Sequence, residues 1–211
     1  MSCAFDLRHY RELIEAAGAY TWATFDREPR AGDLFLRHDV DLSLDAALVM
    51  ARLESELGAR ATYLLMPESR FYNLGSHDGR DAIAELRDLG HAVGLHAVYP
   101  NMQLDDRFDP VIAWHNPDPD HMSKPVAGAV NVMAPPWFAK GHYRSDSNQH
   151  WREGCPHDEL AAGSFEWLQL LIHPEIWVYE GMTMRETMEK MLEAKRDEFV
   201  EALIDDRVDM T

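Results

Sequence analysis

Apolar residues recur along the chain in two rhythms. Short unbroken runs mark strands buried on both faces, and spacings of three and four mark helices with one apolar stripe. Tyr10 to Ala17 has the helical spacing through Leu13, Ile14 and Ala17, and it stops at Gly18, a natural residue just past a helix end. Leu34 to Val40 reads as a buried strand. Ser43 can cap a following helix whose Leu44, Ala47, Leu48, Ala51 and Leu57 share a face, ending at Gly58. Ala61 to Met66 is a second strand, stopped by Pro67, and Asp81 to Leu89 a helix that ends at Gly90. Further strands are expected over His91 to Ala97, Val111 to Trp114, Ala129 to Met133 and Phe165 to Ile172. Thr183-Met184-Arg185-Glu186 matches a capping box, and a helix then runs to about Leu203. Its Met184, Met188, Met191, Leu192 and Phe199 read as core packing rather than as a sulfur-rich binding face.

Strands alternating with helices over the first half imply α/β architecture with a parallel sheet. From Pro100 to Pro136 the chain is rich in Pro, Asp and Asn and has too little helical pattern to cover every crossover. An incomplete or distorted (β/α) barrel with long loops at its mouth is expected. Its 211 residues, 46% hydrophobic, fit one domain over 1–211. A formal net charge of -17 argues against nucleic acid or an anionic membrane as partner, since both need a cationic face. No apolar run approaches the roughly 20 residues of a membrane span. Met1 to Asp6 lacks the basic and apolar regions of a signal peptide, and Cys3 and Cys155 are too few for a disulfide framework, so a cytoplasmic protein is expected.

Candidate chemistry collects where strands end. Asp39 and Asp41 end one strand, in Arg37-His38-Asp39-Val40-Asp41; His96, His115 and His173 each end another. If those strands are parallel, the side chains face one mouth, where α/β folds keep their reactive groups. Two aspartates that close repel unless a cation sits with them. Asp and His suit a borderline divalent ion: Zn²⁺ first, with Mn²⁺, Fe²⁺, Co²⁺ and Ni²⁺ as alternatives. The set also supplies a carboxylate to take a proton from water and an imidazole to protonate a leaving group. His9, His77, His121, His142, His150 and His157 lie in polar surroundings and are expected to face solvent. His157-Asp158-Glu159 is a weaker second metal candidate.

In these residues the chain resembles the polysaccharide deacetylase (NodB-homology, carbohydrate esterase) superfamily. It is most similar to the His-Asp-Val-Asp branch of surface-polysaccharide (O-antigen) biosynthesis. The resemblance runs from about Tyr10 to Met191. Its pieces are Leu36 to Asp41, Phe71 to Leu74, Gly90 to His96, His115-Asn116-Pro117, Ser145 to Asn148 with Trp151 to Pro156, and Leu170 to Pro174.

The resemblance implies Asp39 as general base, Asp41 and His96 as ligands of one divalent metal, and His173 as general acid. The family's second imidazole ligand falls on Pro100, and His115 is the substitute, because it should end a neighbouring strand. The family's helix before His-Asn-Pro has no counterpart in residues 97–110, so one outer helix is expected to be missing. His38, Asp146 and Arg152 are candidate supports for the catalytic side chains, with a structural role for His38 and a loop salt bridge between Asp146 and Arg152 as the alternatives. Trp151 and Trp177 are candidates for a sugar-stacking wall. The implied activity is removal of an acetyl group from a sugar or sugar-linked precursor. A non-sugar amide or ureide hydrolase, and a catalytically degenerate glycan-binding member, are the alternatives.

Overall fold

The computed structural model describes residues 3–99, 102 and 104–209. Its first half keeps the expected rhythm. Helix α1 (Leu7–Ala16) leads to a short strand β1 (Thr21–Trp22). Then come β2 (Asp33–Val40), α2 (Leu44–Glu56), β3 (Ala61–Leu65), α3 (His77–Asp88) and β4 (Ala92–Ala97). Side-chain oxygens of Asp6, Ser43 and Ser76 accept from backbone N–H groups in the first turns of α1, α2 and α3. The second half is sparser: β5 (Val111–Trp114), the single turn α4 (Pro119–Met122), β6 (Val130–Asn131), β7 (Tyr143–Ser145), α5 (His157–Ala161), β8 (Leu168–Ile172), α6 (Pro174–Val178) and α7 (Met184–Asp205).

Among the described residues the strands make one parallel sheet in the order β6-β5-β4-β3-β2-β8-β7, with β1 paired to the start of β2. Its ends, β6 and β7, are not paired, so the barrel is open. The described part of the β4–β5 connection carries no helix, as expected, and β6 to β7 has none either. The pattern over 129–133 yields only Val130–Asn131, at the free edge. Pro100 lies outside the described residues. No helix among the described residues is long and apolar enough to cross a membrane.

Central position explains why all eight residues of β2 are buried. Successive side chains point to opposite faces of a strand. Leu34, Leu36 and Val40 therefore meet Tyr10, Leu13, Ala47 and Met50 in the layer under the helices. Phe35 faces the barrel interior with Leu64, Val111, Ala113, Val132 and Trp137. The register pairs Arg37 with Thr62, Asp39 with Leu64, Leu64 with Gly94, and His96 with Ala113. This alternation places Arg37, Asp39, Gly94 and His96 on the interior face. The interior is tight at Gly94, where a Cβ would stand 2.5 Å from Leu64 Cδ2 and 2.8 Å from the Val111 carbonyl oxygen. Across the open side, Gln169 Nε2 donates to the carbonyls of Val132 (3.2 Å) and Trp137 (3.0 Å), linking β8 to the segment after β6.

Two expectations are corrected. Leu192 and Phe199 do not pack: they are 63% and 65% exposed, and the buried residues of α7 are Thr187 and Met191. Leu192 directly follows buried Met191 on the helix but points away from the core, while Lys195, further along, still pairs with Asp45 of α2. His38 does not face the mouth. It sits between two inward residues, so it points outward under α2, where Nε2 lies 2.7 Å from Glu54 Oε1 and the ring stacks on Tyr63 at 4.3 Å.

Glu54 is the polar centre of that layer. It is fully buried and also accepts from the hydroxyls of Tyr10 (2.5 Å) and Tyr63 (2.9 Å). Burial pushes its carboxyl up, but His38, His91 and Tyr10 outweigh burial and hold it below its ordinary value. Glu54→Ala would strand these partners and should cost about 3–5 kcal/mol in urea unfolding. Because the folded pKa is depressed, the stabilisation is present above the ordinary value of 4.5 and fades as pH falls through the folded one. Wild-type stability should therefore drop more steeply on acidification than that of the variant; parallel curves would refute the assignment.

Candidate metal centre

Asp41 lies just past the end of β2, His96 near the end of β4 and His115 just past β5. His115 is held in place by its backbone N–H, which donates to the Ala97 carbonyl at 2.8 Å. The next residue turns sharply: Asn116 has φ 47°, and its side-chain amide lies 3.1 Å from His115 Nε2. This leaves Nδ1 toward the mouth. Asp41 Oδ1 lies 3.2 Å from His115 Nδ1 and 3.1 Å from His96 Nε2.

Three features fit a divalent ion here. Ligand atoms of Asp41, His96 and His115 all lie within 4.8 Å of one another. A tetrahedral zinc with ligands at about 2.0–2.1 Å holds them about 3.3 Å apart, close to the separations found. Asp41 Oδ1 is buried with no well-aligned hydrogen bond among the described residues, its polar neighbours being the two imidazole nitrogens, and a carboxylate oxygen so withdrawn from water is costly. Burial pushes Asp41 up, yet His115 and His96 more than offset it and leave its carboxyl far below the usual range. One oxygen and two imidazole nitrogens suit zinc and its neighbours.

Asp39 is held differently. Arg37, two residues earlier and on the same face, donates through Nε to Oδ1 (2.7 Å) and through a terminal nitrogen to Oδ2 (2.6 Å). Both are buried, and Gln169 Oε1 accepts a further bond from Arg37 at 3.4 Å. Burial alone would protonate Asp39; Arg37 and His96 keep it ionised. Its Oδ2 lies 3.7 Å from His96 Nε2, so this carboxylate borders the candidate metal seat.

Opposite, β8 delivers His173. Its backbone N–H and Nδ1 both donate to Asp146, at 3.0 and 2.6 Å, and Trp177 Nε1 donates to the same carboxylate at 2.7 Å. Asp146 follows β7 and is fully buried. Burial opposes the imidazolium, but Asp146 overrides it, and His173 is pushed up to about 10. It is a cation at neutral pH with a proton to give. Its charge is felt at Asp39, Asp41 and His115, which puts it over the same space.

The remaining candidates fall elsewhere. Trp177 is fully buried and acts through Asp146, and Trp151 is buried with its indole N–H on Cys3 Sγ at 3.1 Å; neither forms a stacking wall. Arg152 is exposed and does not pair with Asp146; it lines a cavity of about 580 Å³ with Tyr143, Arg144 and Ser145. Arg37, Gln169 and Glu175 were not anticipated. Alternation on the strand could have found Arg37, which shares a face with Asp39. Glu175 is buried with Oε2 unpartnered, and burial pushes its carboxyl up to about 8, so it stands protonated.

No family model matches the chain, and no curated protein matches it. Among solved structures it is similar to the chitin deacetylase from the fungal pathogen Colletotrichum lindemuthianum, with a TM-score of 0.42 and 13% sequence identity over 78% of this chain and 83% of that one. Side-chain geometry, rather than that likeness, supports the function proposed below.

Asp146→Asn should bring the His173 titration down from about 10 toward the ordinary imidazole range near 6.5, read by NMR of the ring nitrogens. An unmoved titration would remove Asp146 as its cause.

Proposed function

We propose that the protein is a metal-dependent hydrolase that removes an acetyl group from an amino sugar or acetylated sugar precursor. The observation that carries this reading is the buried Asp41 oxygen set against two imidazole nitrogens, with an ionised carboxylate and a protonated imidazole beside it. Asp41, His96 and His115 would hold the ion. When bound, such an ion lowers the pKa of water and polarises an acyl oxygen.

The chain's own residues supply the rest. Asp39, kept anionic by Arg37, receives the proton of the attacking water. Its depressed pKa suits it to orient that water and take a proton already made acidic, rather than to act as a strong free base. His173 delivers its Nε2 proton to the departing nitrogen or oxygen, because Nδ1 is committed to Asp146. Asp146 then stabilises the charge His173 carries before the transfer, and Trp177 keeps Asp146 aimed. The cavity beside Tyr143 offers space for a sugar. Tyr143 lies close enough to Arg37 and Asp39 to feel both charges, which supports placing the substrate there.

The finer assignment, a cytoplasmic role on a nucleotide- or lipid-linked precursor of a surface polysaccharide, draws its support from the order and spacing of the sequence motifs. Acetate release from acetylated amino sugars, compared with turnover of cyclic and linear amides, distinguishes this substrate class from amide or ureide hydrolysis. Asp39→Asn should retain the metal and lose about 10²–10⁴-fold in turnover. Full activity in that variant, or wild-type activity after removal of all transition metal, would sink the mechanism. Failure of purified protein to bind any divalent ion would favour a glycan-binding role without catalysis.

A further inference from the structure

A second cluster of soft ligands lies outside the barrel. Cys3, His9 and Cys155 offer ligand atoms that all fall within 4.8 Å of one another. They come from distant stretches. Cys3 precedes α1, His9 is in its first turn, and Cys155 precedes α5, which packs against α1. Both cysteines are free thiols.

His9 is the informative member. Polar neighbours in sequence suggested a solvent-facing ring, yet it is 9% exposed. Its Nδ1 lies 2.9 Å from Glu12 Oε2, while Nε2 lies 3.3 Å from Cys155 Sγ. A carboxylate on one ring nitrogen fixes the tautomer in which the other offers its lone pair, and metal-ligating imidazoles are usually backed in this way. Cys3 Sγ is aimed by the Trp151 indole N–H at 3.1 Å. With Zn–S about 2.3 Å and Zn–N about 2.0 Å, a tetrahedral ion sets sulfur and nitrogen ligands about 3.5 Å apart. The His9–Cys155 pair is already near that value.

His157 borders the same space. A cavity of about 320 Å³ is lined by these residues together with Glu12, His157 and Asp158. The His157 ring lies 5.9 Å from that of His9, and its Nδ1 is likewise backed by a carboxylate, Asp158, at 2.9 Å. Glu159, weighed in sequence as a ligand beside them, instead pairs with Arg144.

We propose that Cys3, His9 and Cys155, with His157 nearest the remaining position, form a structural zinc site. The site ties the N-terminal segment to the loop before α5. Two thiolates and one imidazole, with His157 completing a fourth position, would make a soft set unlike the oxygen- and nitrogen-donor centre at Asp41. Binding would release the two thiol protons. It would also steady Phe5, which packs on Trp151 and Trp177 at 6.2 and 5.1 Å between centroids, and so the indole that holds Asp146.

The test uses the full chain, reduced, stripped with chelator and titrated with Co²⁺. Wild-type protein should develop a thiolate-to-cobalt charge-transfer band in the near ultraviolet, lose its reactivity toward a thiol-alkylating reagent, and lose the band again when Zn²⁺ is added. Asp41→Asn should keep the band, because only sulfur ligation produces it, and Cys3→Ser with Cys155→Ser should abolish it. The proposal is overturned if the cobalt-loaded wild type shows no such band and both thiols stay fully reactive. It is equally overturned if dissolved oxygen in air-equilibrated, metal-saturated solution oxidises the two thiols to a Cys3–Cys155 disulfide, seen as a cross-link by non-reducing mass spectrometry. The wild-type readouts decide the matter even where a serine variant fails to fold.

Discussion

A guanidinium enclosed inside the barrel governs the electrostatics at the mouth. Arg37 is fully buried, and burial of an unpaired cation is too costly to tolerate. Asp39 answers it with two parallel hydrogen bonds from the same face of the same strand. That pairing consumes the Asp39 charge locally. Asp146 is consumed in the same way by His173. Asp41 is the carboxylate left without a committed arginine or carboxylate-backed imidazolium, which is why the candidate seat for a divalent ion falls on it and not on its neighbour two residues earlier. The distinction between two aspartates in one motif thus comes from what stands beneath each of them.

The outward face of the same strand solves a separate problem. His38 and Glu54 form a polar island with Tyr10 and Tyr63 under α2, where apolar residues would be expected. Every oxygen of Glu54 has a partner, so the island locks α1, α2, β2 and β3 into one arrangement, although His38 Nδ1 is buried without a hydrogen bond among the described residues. One short sequence, Arg37 to Asp41, therefore feeds two networks on opposite sides of the sheet. They are separated by one backbone thickness, with no side chain shared between them.

Much of this was legible in the sequence, and the limits were physical. Strands β2 to β5 show as apolar runs because they are buried on both faces, and the residues ending them converge because parallel strands share one mouth. What periodicity could not resolve was sidedness: His38 and Asp39 are adjacent, and only the interior position of Phe35 fixes which of them faces the cleft. Strand β7, of three residues, is too short to leave a pattern. Trp177 and Trp151 looked like a stacking surface, but indoles bury readily once their N–H groups find acceptors, and both have done so. Along α7 the helical spacing of Leu192 and Phe199 is real, but amphipathic spacing reports a face and not what covers it. His9 was misread for the converse reason: its polar neighbour Glu12 backs the ring from one side while the other nitrogen turns inward to sulfur.

Gly94 has a meaning for the site that reaches past its own backbone. It lies one layer below His96, on the interior face, with Leu64 on one side and the start of β5 on the other. The separation of the two imidazoles at the mouth depends on how closely β5 can lie against β4, and that closeness is permitted by a missing methyl group. A side chain there would act as a wedge between the strands, tilting His115 away from His96 while every ligand stayed chemically intact. The reach of the candidate metal seat is in this sense set from below, by an empty volume in the core and not by the residues that would touch an ion.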